Sequence, residues 1–206
     1  RLGRIPGLEV SGTIRELGEN VTTVTVGQKV AAILPSTGGF AEVVCAPASL
    51  VAEVPDDLTM DLASVVPINT VTAHLALTTA IRFVPGESLL IHAGAGGLGS
   101  QVGQVARLLG AGRVVGVTRS EAKRQEILDL GYDEAWLTED LADAEPAQFD
   151  VIADPVAGPA RLRSLDLLRT AGRLLVLGDA SQAEDKRVST TSLWLRGIGV
   201  IGFNLG

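Results

Sequence analysis

The stretch that decides the fold is Leu89-Leu90-Ile91-His92-Ala93-Gly94-Ala95-Gly96-Gly97-Leu98-Gly99. It joins a short, continuous apolar run to a glycine-rich turn with the spacing Gly94-x-Gly96-x-x-Gly99. The segment Leu98–Leu109 follows, and its apolar residues recur every three or four positions. An apolar run followed by that periodicity predicts a buried β-strand joined by a tight turn to an α-helix.

Glycine at these three positions suits the binding of a dinucleotide. Gly94 permits the tight turn, Gly96 lets a pyrophosphate approach the backbone, and Gly99 lets helix and strand pack closely. The phosphates would face unpaired N–H groups at the positive end of the helix. The same spacing also occurs in loops that use glycine for packing alone. The prediction of dinucleotide binding therefore depends on the position of this turn between a strand and a helix. The expected diphosphate-binding residues are Gly94, Ala95, Gly96, Gly97, Leu98 and Gly99.

Strands and helices alternate from this point to the end of the chain. The predicted strands are Ser88–Ala93, Arg113–Thr118, Glu134–Leu137, Phe149–Ala153, Gly172–Gly178 and Ile198–Leu205. The helices predicted between them are Leu98–Leu109, Glu121–Leu130 and Ala160–Arg169, with Asp140–Pro146 a loop or short helix. Continuous apolar strands alternating with helices indicate an α/β domain whose parallel sheet is buried on both faces. Six strands match the doubly wound dinucleotide-binding fold.

The first 60 residues have a different composition, which is rich in Gly, Pro, Val and Thr. Turn signals separate the apolar runs Val21–Val26, Val30–Leu34 and Phe40–Val44, which is typical of antiparallel β-structure. Residues Asp61–Ala80 then predict a helix that is interrupted at Pro67. We therefore predict two domains, a β domain over residues 1–66 and a Rossmann domain over residues 67–206.

Composition excludes several classes of protein. The chain has 206 residues, 46% of them hydrophobic and 20% charged, which is ordinary for a globular protein. Its net charge of −7 argues against nucleic acid as a partner. No apolar run reaches the length of a membrane span and no signal peptide is visible, so the expectations are no membrane partner and a cytoplasmic location. The single cysteine, Cys45, allows neither an internal disulfide nor a multi-thiolate zinc site, and we expect it to be buried.

The end of the second predicted Rossmann strand bears on the choice of cofactor. An NAD site places a carboxylate there to hold the ribose 2′-hydroxyl. Here the strand runs into Thr118-Arg119-Ser120, with no acid at its tip, and Lys123 and Arg124 follow. Cationic donors suit a 2′-phosphate, so NADPH is favoured over NADH. The alternative is that Lys123 and Arg124 are surface charges partnered by acids of the same helix.

Five motifs, taken together, resemble the medium-chain dehydrogenase/reductase superfamily. Ile5-Pro6-Gly7-Leu8-Glu9-Val10-Ser11-Gly12 resembles its G-H-E-x-x-G segment, Val26-Gly27-Gln28-Lys29-Val30 its G-D-x-V strand, and Gly39-Phe40-Ala41-Glu42 its G-[GT]-[FY]-A-E segment. His92–Gly99 is similar to the H-A-A-A-G-G-V-G turn of the quinone oxidoreductase branch, and Asp154-Pro155-Val156-Ala157-Gly158 to its D-x-V-G-G loop. The resemblance implies a GroES-like β domain joined to a Rossmann domain.

The sequence departs from the zinc-dependent members of that superfamily. Leu8 stands where they carry a zinc-binding His, and an apolar side chain cannot ligate zinc. Pro67-Ile68-Asn69-Thr70 has no cysteine where they often have another ligand, and the four-cysteine structural lobe is missing. The zinc-independent quinone oxidoreductase branch is the better match, so no metal is expected. Relative to that branch, the resemblance implies a chain truncated at both ends.

The resemblance also implies site residues. Asn69 and Thr72 would lie near the nicotinamide or the substrate mouth, and they are the weak candidates for a catalytic role. The remaining expected cofactor contacts are Thr118, Arg119, Ser120 and Lys123 around the adenosine phosphate, Val156 and Gly178 along the cleft, and Phe203 and Asn204 at the carboxamide. Asn69 has an equally good explanation as a turn residue beside Pro67. His92 is expected to be structural, and His74 to occupy the core or the surface.

The leading functional hypothesis is an NADPH-dependent reductase that moves hydride to a quinone or an α,β-unsaturated carbonyl without zinc. One alternative is a catalytically idle NADPH-binding sensor or partner subunit. Another is an enoyl reductase of polyketide or fatty acid synthesis, although Ala160 and Ser181 stand where some of those enzymes carry a Lys and an Asp. A zinc-dependent alcohol dehydrogenase is opposed by Leu8. The apolar strand Ile198–Phe203 leads us to expect a homodimer that pairs through it, as in the family.

Overall fold

A computed structural model describes residue 3, residues 5–184 and residues 187–205. The chain divides into two compact units, Arg1–Val71 and Thr72–Leu205. In the described part of the chain, no helix combines the length and the apolar character that a membrane crossing requires.

The first unit contains a three-stranded antiparallel sheet. Its strands are β1 (Glu9–Thr13), β2 (Lys29–Ile33) and β3 (Val51–Glu53), in the spatial order β1-β2-β3. Val30 and Ala32 of the central strand are buried while their neighbours are less so, which is the alternation expected of a sheet with one covered face. The short helix α1 (Met60–Ala63) follows, and the hydroxyl of its N-cap Thr59 accepts a hydrogen bond from Leu62 N–H.

Only one of the three apolar runs predicted to form strands in this unit does so. Val30–Leu34 becomes β2, whereas Val21–Val26 and Phe40–Val44 form turns and bends, so those two predictions are wrong. Within the first run only Val24 is buried, and Phe40 in the second is 75% exposed, because neither run pairs with a neighbouring strand. The expectation that Cys45 is buried is wrong for the same reason, since it follows the unpaired second run and is exposed.

The predicted interruption at Pro67 is confirmed. Helix α2 (Pro67–Leu75) begins at this proline, which needs no hydrogen bond for its nitrogen at a helix start. The carboxylate of Glu9 accepts a hydrogen bond of 2.8 Å from Ile68 N–H, one of the unpaired donors in the first helical turn. The helix passes directly into a π-helical turn, Ala76–Ala80.

The second unit is built on a six-stranded sheet, as predicted. Its strands are β4 (Ser88–His92), β5 (Arg113–Thr118), β6 (Glu134–Leu137), β7 (Phe149–Asp154), β8 (Leu168–Val176) and β9 (Gly199–Gly202). Their spatial order is β6-β5-β4-β7-β8-β9, and all five pairings are parallel. The helices are α3 (Gly97–Leu108), α4 (Arg124–Asp129), α5 (Asp140–Asp143), α6 (Pro159–Leu167) and α7 (Thr190–Arg196). Counted along the chain this order is 3-2-1-4-5-6, the dinucleotide-binding arrangement.

The sheet is buried on both faces. Leu89 and Ile91 point into one apolar cluster with α3 residues such as Val102. Leu90, which alternates with them along β4, points into a second cluster with Ile152 and Leu174. Burial on both faces explains why these strands read as continuous apolar runs rather than as alternating ones.

Several elements of the second unit depart from the sequence prediction. Strand β9 covers only Gly199–Gly202 of the predicted Ile198–Leu205, and α4 begins at Arg124 rather than Glu121. Strand β8 begins at Leu168 rather than Gly172, because its pairing with β7 shifts register and Ala171 takes a left-handed backbone with φ 64°. Helix α7 was not predicted, since its exposed Trp194 and Leu195 give no apolar periodicity. Both of its ends carry residues typical of helix ends. The side chain of the N-cap Ser189 accepts a hydrogen bond from Ser192 N–H, and Gly197 takes a left-handed backbone after the last turn. Strand β9 lies at the sheet edge, where pairing with a second copy stays a prediction.

A buried tyrosine packs beneath the glycine-rich turn. Tyr132, in the loop after α4, donates its hydroxyl hydrogen to the carbonyl of Gly99 at 2.6 Å, with the carbonyl of Gly94 at 3.4 Å. A Cβ atom at Gly103 would lie 2.2 Å from the tyrosine Cζ, and one at Gly116 would lie 3.0 Å from its Cδ1. The ring therefore occupies space that two missing side chains leave open. Burial raises the pKa of the Tyr132 hydroxyl well above its usual value, so it remains a donor.

A second buried polar group lies at the end of β4. His92 is 3% exposed, and its Nε2 lies 2.7 Å from the hydroxyl oxygen of Ser164. Ser164 donates its own hydrogen to the carbonyl of Ala160 at 2.8 Å, so Nε2–H of His92 is the donor to Ser164. Burial lowers the pKa of His92 below 6.5, against the attraction of the Asp154 carboxylate. The histidine is therefore neutral and structural in this geometry.

We expect Gly103→Ala to destabilise the protein. Forcing a methyl against the Tyr132 ring costs about 1–3 kcal/mol, against a gain of about 1 kcal/mol from replacing glycine inside a helix. In a Tyr132→Leu background the same substitution is expected to be neutral or stabilising. Urea denaturation of the wild type, both single variants and the double variant measures the coupling. Additive effects would contradict the packing assignment.

We expect the free energy of unfolding to fall as the pH drops from 7.5 to 5.5. Because the pKa of His92 is lower in the folded than in the unfolded protein, the unfolded chain binds more protons below pH 6.5. The loss is at most about 1.4 kcal/mol per pH unit. Denaturation of His92→Gln at both pH values should show a smaller loss than the wild type, whereas His74→Gln, at an exposed histidine, should match it. If the pH dependence in His92→Gln equals that of the wild type, His92 is not the cause of the loss of stability.

Candidate cofactor crevice

The order of the parallel sheet creates a crevice in the second unit. Neighbouring strands β4 and β7 connect outward in opposite directions, so the helices that follow them lie on opposite faces of the sheet. In sheets of this kind, ligands bind outside the carboxyl ends of the strands at this point. The glycine-rich turn follows β4 there, and Pro155-Val156 follows Asp154, the last residue of β7.

The glycine-rich turn is packed too closely for side chains. A Cβ atom at Gly94 would lie 2.9 Å from Gly116 Cα on the neighbouring strand β5. One at Gly99 would lie 2.1 Å from the carbonyl oxygen of Ala93, which agrees with the expected close packing of helix against strand. One at Gly96 would lie 3.1 Å from that same oxygen. The three glycines therefore keep the crevice wall free of side chains.

The left-handed residue of the turn is not the one expected. Ala93 has a φ of 54°, while Gly94 has no positive φ, so the tight turn is made by Ala93. The structural need for glycine at 94 is instead the close approach of β5. The turn is held by hydrogen bonds from Gly94 N–H to Val117 and from Gly96 N–H to Ala93.

Helix α3 begins in this turn without a side-chain cap. Its N-cap is Gly96, in an extended conformation. The first N–H groups of a helix have no partner within the helix, and here Gly97, Leu98 and Gly99 supply them at the edge of the crevice. The helix is twelve residues long, so these donors stand at the positive end of a full helix dipole. The geometry suits an anionic group.

The end of β5 presents two cationic side chains. Arg119 and Lys123 are exposed, and neither side chain forms an ion pair or a hydrogen bond with any other described residue. Thr118 is buried, and its hydroxyl accepts a hydrogen bond of 3.2 Å from Ser120 N–H, which fixes the turn that carries them. Thr118 and Ser120 thus have a defined role in shaping the turn.

Arg124 differs from those two cations. Its Nε donates to the carbonyl of Ala135 at 3.0 Å, and its NH1 lies 3.3 Å from the Glu121 carboxylate. The interpretation as a surface charge partnered by a nearby acid therefore holds for Arg124, whose partner Glu121 lies in the 3-10 turn just before α4. No such partner is described for Lys123. Because Glu121 is already paired, its carboxylate opposes a 2′-phosphate less than a free one would.

The ends of β7 and β8 carry the two expected cleft residues. Val156 is half-buried and Gly178 is exposed. A Cβ atom at Gly178 would lie 3.1 Å from the carbonyl oxygen of Pro155, so the two loops approach each other at this point. After β9, Phe203 packs on the core and its N–H donates to Val176 at 3.0 Å, while Asn204 is exposed.

The two weak catalytic candidates lie on α2. Asn69, which falls in the first unit, donates its side-chain amide to the carbonyl of Val65 at 3.4 Å. That bond is the local turn role weighed as the alternative to a functional one. Thr72 falls in the second unit and is half-buried, and His74 is exposed, which places it on the surface.

Four residues that shape the crevice are absent from the predicted site residues. Gly116 was open to prediction, because an isolated glycine inside a strand often marks the close approach of another backbone. No local sequence pattern indicates the role of Tyr132, since its partners Gly99 and Gly103 are distant in sequence. Asp154 and Arg161 likewise form a contact that sequence spacing alone does not reveal.

No metal centre is evident in the part of the chain that the structure describes. There, no three His, Cys, Asp or Glu side chains group in a way that could hold an ion. Leu8, at the position where the zinc-dependent relatives carry a histidine, is 49% exposed.

Two family models match the chain. One described as Zinc-binding dehydrogenase matches residues 97–206, just over half of the chain. The other, described as Alcohol dehydrogenase GroES-like domain, matches residues 1–56.

Curated relatives include polyketide synthase GfsB of Streptomyces halstedii and 2-haloacrylate reductase of a Burkholderia species. The first is 38% identical over 187 residues, which cover 89% of this chain and 3% of the synthase. The second is 32% identical over 203 residues, which cover 94% of this chain and 60% of the reductase. The chain thus spans less than two thirds of the length of either relative.

Solved structures of similar fold include the quinone oxidoreductase of Thermus thermophilus, which was also solved in complex with NADPH. It has a TM-score of 0.82 at 33% identity, over 98% of this chain and 62% of that one. The mycobacterial protein Rv1454c, complexed with NADPH, has a TM-score of 0.83 at 29% identity, over 97% and 64%. With its six-stranded sheet, its glycine-rich turn and the two matching family models, the chain belongs to the zinc-binding dehydrogenase family, within the medium-chain dehydrogenase/reductase superfamily of oxidoreductases.

Proposed function

We propose that the protein is an NADPH-dependent oxidoreductase that transfers hydride to a quinone or an α,β-unsaturated carbonyl compound without zinc. One observation carries the proposal: an uncapped helix N-terminus at the switch point of the sheet, beside two cations at the end of the next strand that have no partner among the described residues. The NADPH complexes of the similar quinone oxidoreductase and of Rv1454c support the choice of cofactor.

The residues present fit a dinucleotide. Gly94, Gly96 and Gly99 present backbone rather than side chains at the crevice wall, so a diphosphate can reach the N–H groups of α3. Arg119 and Lys123 would hold the 2′-phosphate of the adenosine half. Val156, Gly178, Phe203 and Asn204 follow strands β7 to β9 and would accommodate the nicotinamide half.

When bound, NADPH supplies a hydride from its nicotinamide ring. The task of this chain is to orient the ring against the substrate and to exclude water. Negative charge develops on the substrate oxygen, so a hydrogen-bond donor or a water molecule must stabilise it. Asn69 and Thr72 remain the candidates among the residues of α2, although the amide of Asn69 already donates to Val65.

An enoyl reductase of polyketide or fatty acid synthesis is the second candidate. It is supported by the similarity to synthase GfsB and to lovastatin diketide synthase lovF of Aspergillus terreus, which is 30% identical over 91% of this chain. Ala160 and Ser181 offer neither of the charged groups proposed as proton donors in some of these enzymes. Both candidates reduce a bond conjugated to a carbonyl, so they differ in the substrate rather than in the chemistry.

Turnover of NADPH with three electron acceptors tests the proposal. A simple quinone, a small enone and an enoyl thioester are each supplied to the protein, and NADPH consumption is followed by absorbance. Consumption with the quinone or enone supports the leading function, and consumption with the thioester alone supports the enoyl reductase. Tight NADPH binding with no turnover on any acceptor would favour a sensor or partner subunit. Stoichiometric zinc in the purified protein would revive a zinc-dependent mechanism.

We expect Arg119→Ala and Lys123→Ala each to weaken NADPH binding about tenfold, because each removes a charge-assisted contact to the 2′-phosphate. NADH binding should change less than about twofold, since that cofactor lacks the phosphate. Calorimetric titration of both cofactors measures the two constants. Arg15→Ala, which removes the same charge from an exposed side chain in the first unit, should leave both unchanged. Equal losses for NADPH and NADH would count against the assignment.

A further inference from the structure

Two loops at the carboxyl edge of the second unit are joined along their backbones. One follows β7 and the other follows β8. The hydrogen bonds between them run from Leu177 N–H to Asp154, from Ala180 N–H to Pro155 and from Ser181 N–H to Val156, at 2.9–3.1 Å. Val156 and Gly178, the two expected cleft residues, lie within these loops.

A fully buried carboxylate shapes the first of these loops. Asp154 has no exposed surface, and its Oδ1 accepts hydrogen bonds of 2.8 Å from both Val156 N–H and Ala157 N–H. The backbone then takes two left-handed residues in succession, Ala157 with φ 69° and Gly158 with φ 72°. A left-handed backbone is unfavourable for alanine, so the carboxylate holds the loop in a shape that it would not otherwise keep.

One guanidinium ties this carboxylate to the second loop. Arg161 Nε lies 2.6 Å from the Oδ2 atom of Asp154, and its NH2 donates to the carbonyl of Gly178 at 2.7 Å. The Arg161 side chain is only 13% exposed. Removing one member of a buried ion pair is destabilising, whereas replacing both by apolar residues is often not. Stability alone therefore does not require charged residues here, but the fork of an arginine fixes two oxygen atoms relative to each other.

We infer that Arg161 and Asp154 form a positioning pair that sets the geometry of the nicotinamide half of the crevice. This rests on the proposed function. A sheet of this kind consists of two halves, each of which binds one mononucleotide. If Arg119 and Lys123 hold the adenosine half at the end of β5, the nicotinamide half would lie at the ends of β7, β8 and β9. The pair acts through the two loops that line this half, and neither side chain needs to contact the cofactor.

The test compares NADPH with adenosine 2′,5′-bisphosphate, which carries the adenosine half without the nicotinamide. Arg161→Leu should raise the Kd of NADPH about tenfold, the size typical of an effect transmitted through neighbouring groups. The Kd of the bisphosphate should change less than about twofold. Arg161→Lys keeps a charge for Asp154 but lacks the fork that also reaches Gly178, so we expect an intermediate rise for NADPH only. If Arg161→Leu does not fold, the comparison of the two Kd values is made with Arg161→Lys alone.

Arg163 provides a matched control on the same helix. Its guanidinium also donates to backbone carbonyls, those of Leu141 at 2.7 Å and of Ala144, but these lie away from the two loops. Arg163→Leu should lower the melting temperature and leave the ratio of the two Kd values at its wild-type value. A change in Arg161→Lys that is absent or equal for both ligands would overturn the inference. A wild type that binds neither ligand would instead overturn the proposed function.

Discussion

The structure depends on one constraint, the contact of bare backbone between the turn after β4 and its neighbours. Gly94 lies against Gly116 of β5, and Gly99 lies against the carbonyl of Ala93, with no room for a Cβ atom at any of the three glycines. This contact lets α3 start directly at the carboxyl edge of the sheet. Its first N–H groups, which have no partner within the helix, therefore lie where the strand order reverses.

The crevice has two halves that are maintained by different means. At the end of β5, the backbone turn is fixed by Thr118, and the side chains of Arg119 and Lys123 have no charged partner among the described residues. At the ends of β7 and β8, by contrast, Asp154 and Arg161 form a buried ion pair. The first half thus offers unpaired charge for recognition, and the second uses paired charge for shape. Such a division suits a ligand that is anionic at one end and reactive at the other.

Much of the second unit was predictable from sequence, because strands buried on both faces must be continuously apolar. The β-strands around the glycine-rich turn follow that rule, and their parallel pairing follows from alternation with helices. The first unit was less predictable, since the apolar runs Val21–Val26 and Phe40–Val44 have no strand partner, and β1 mixes polar and small residues. The glycine-rich turn could be located because its spacing is local. The contact of Arg161 with the carbonyl of Gly178 could not, because it depends on how the loop after β8 approaches the loop after β7.

The packing of Tyr132 against Gly103 restricts the order in which these two positions can change during evolution. The tyrosine ring fills the volume that a helical side chain would otherwise take, so the residue at each position limits which residues the other can accept. An enlargement at 103 is blocked while the ring is present, and a reduction at 132 leaves a void beneath the turn. The accessible order of substitutions is therefore shrinkage at 132 first and growth at 103 second. Descendants of this sequence should inherit the two positions as a coupled unit.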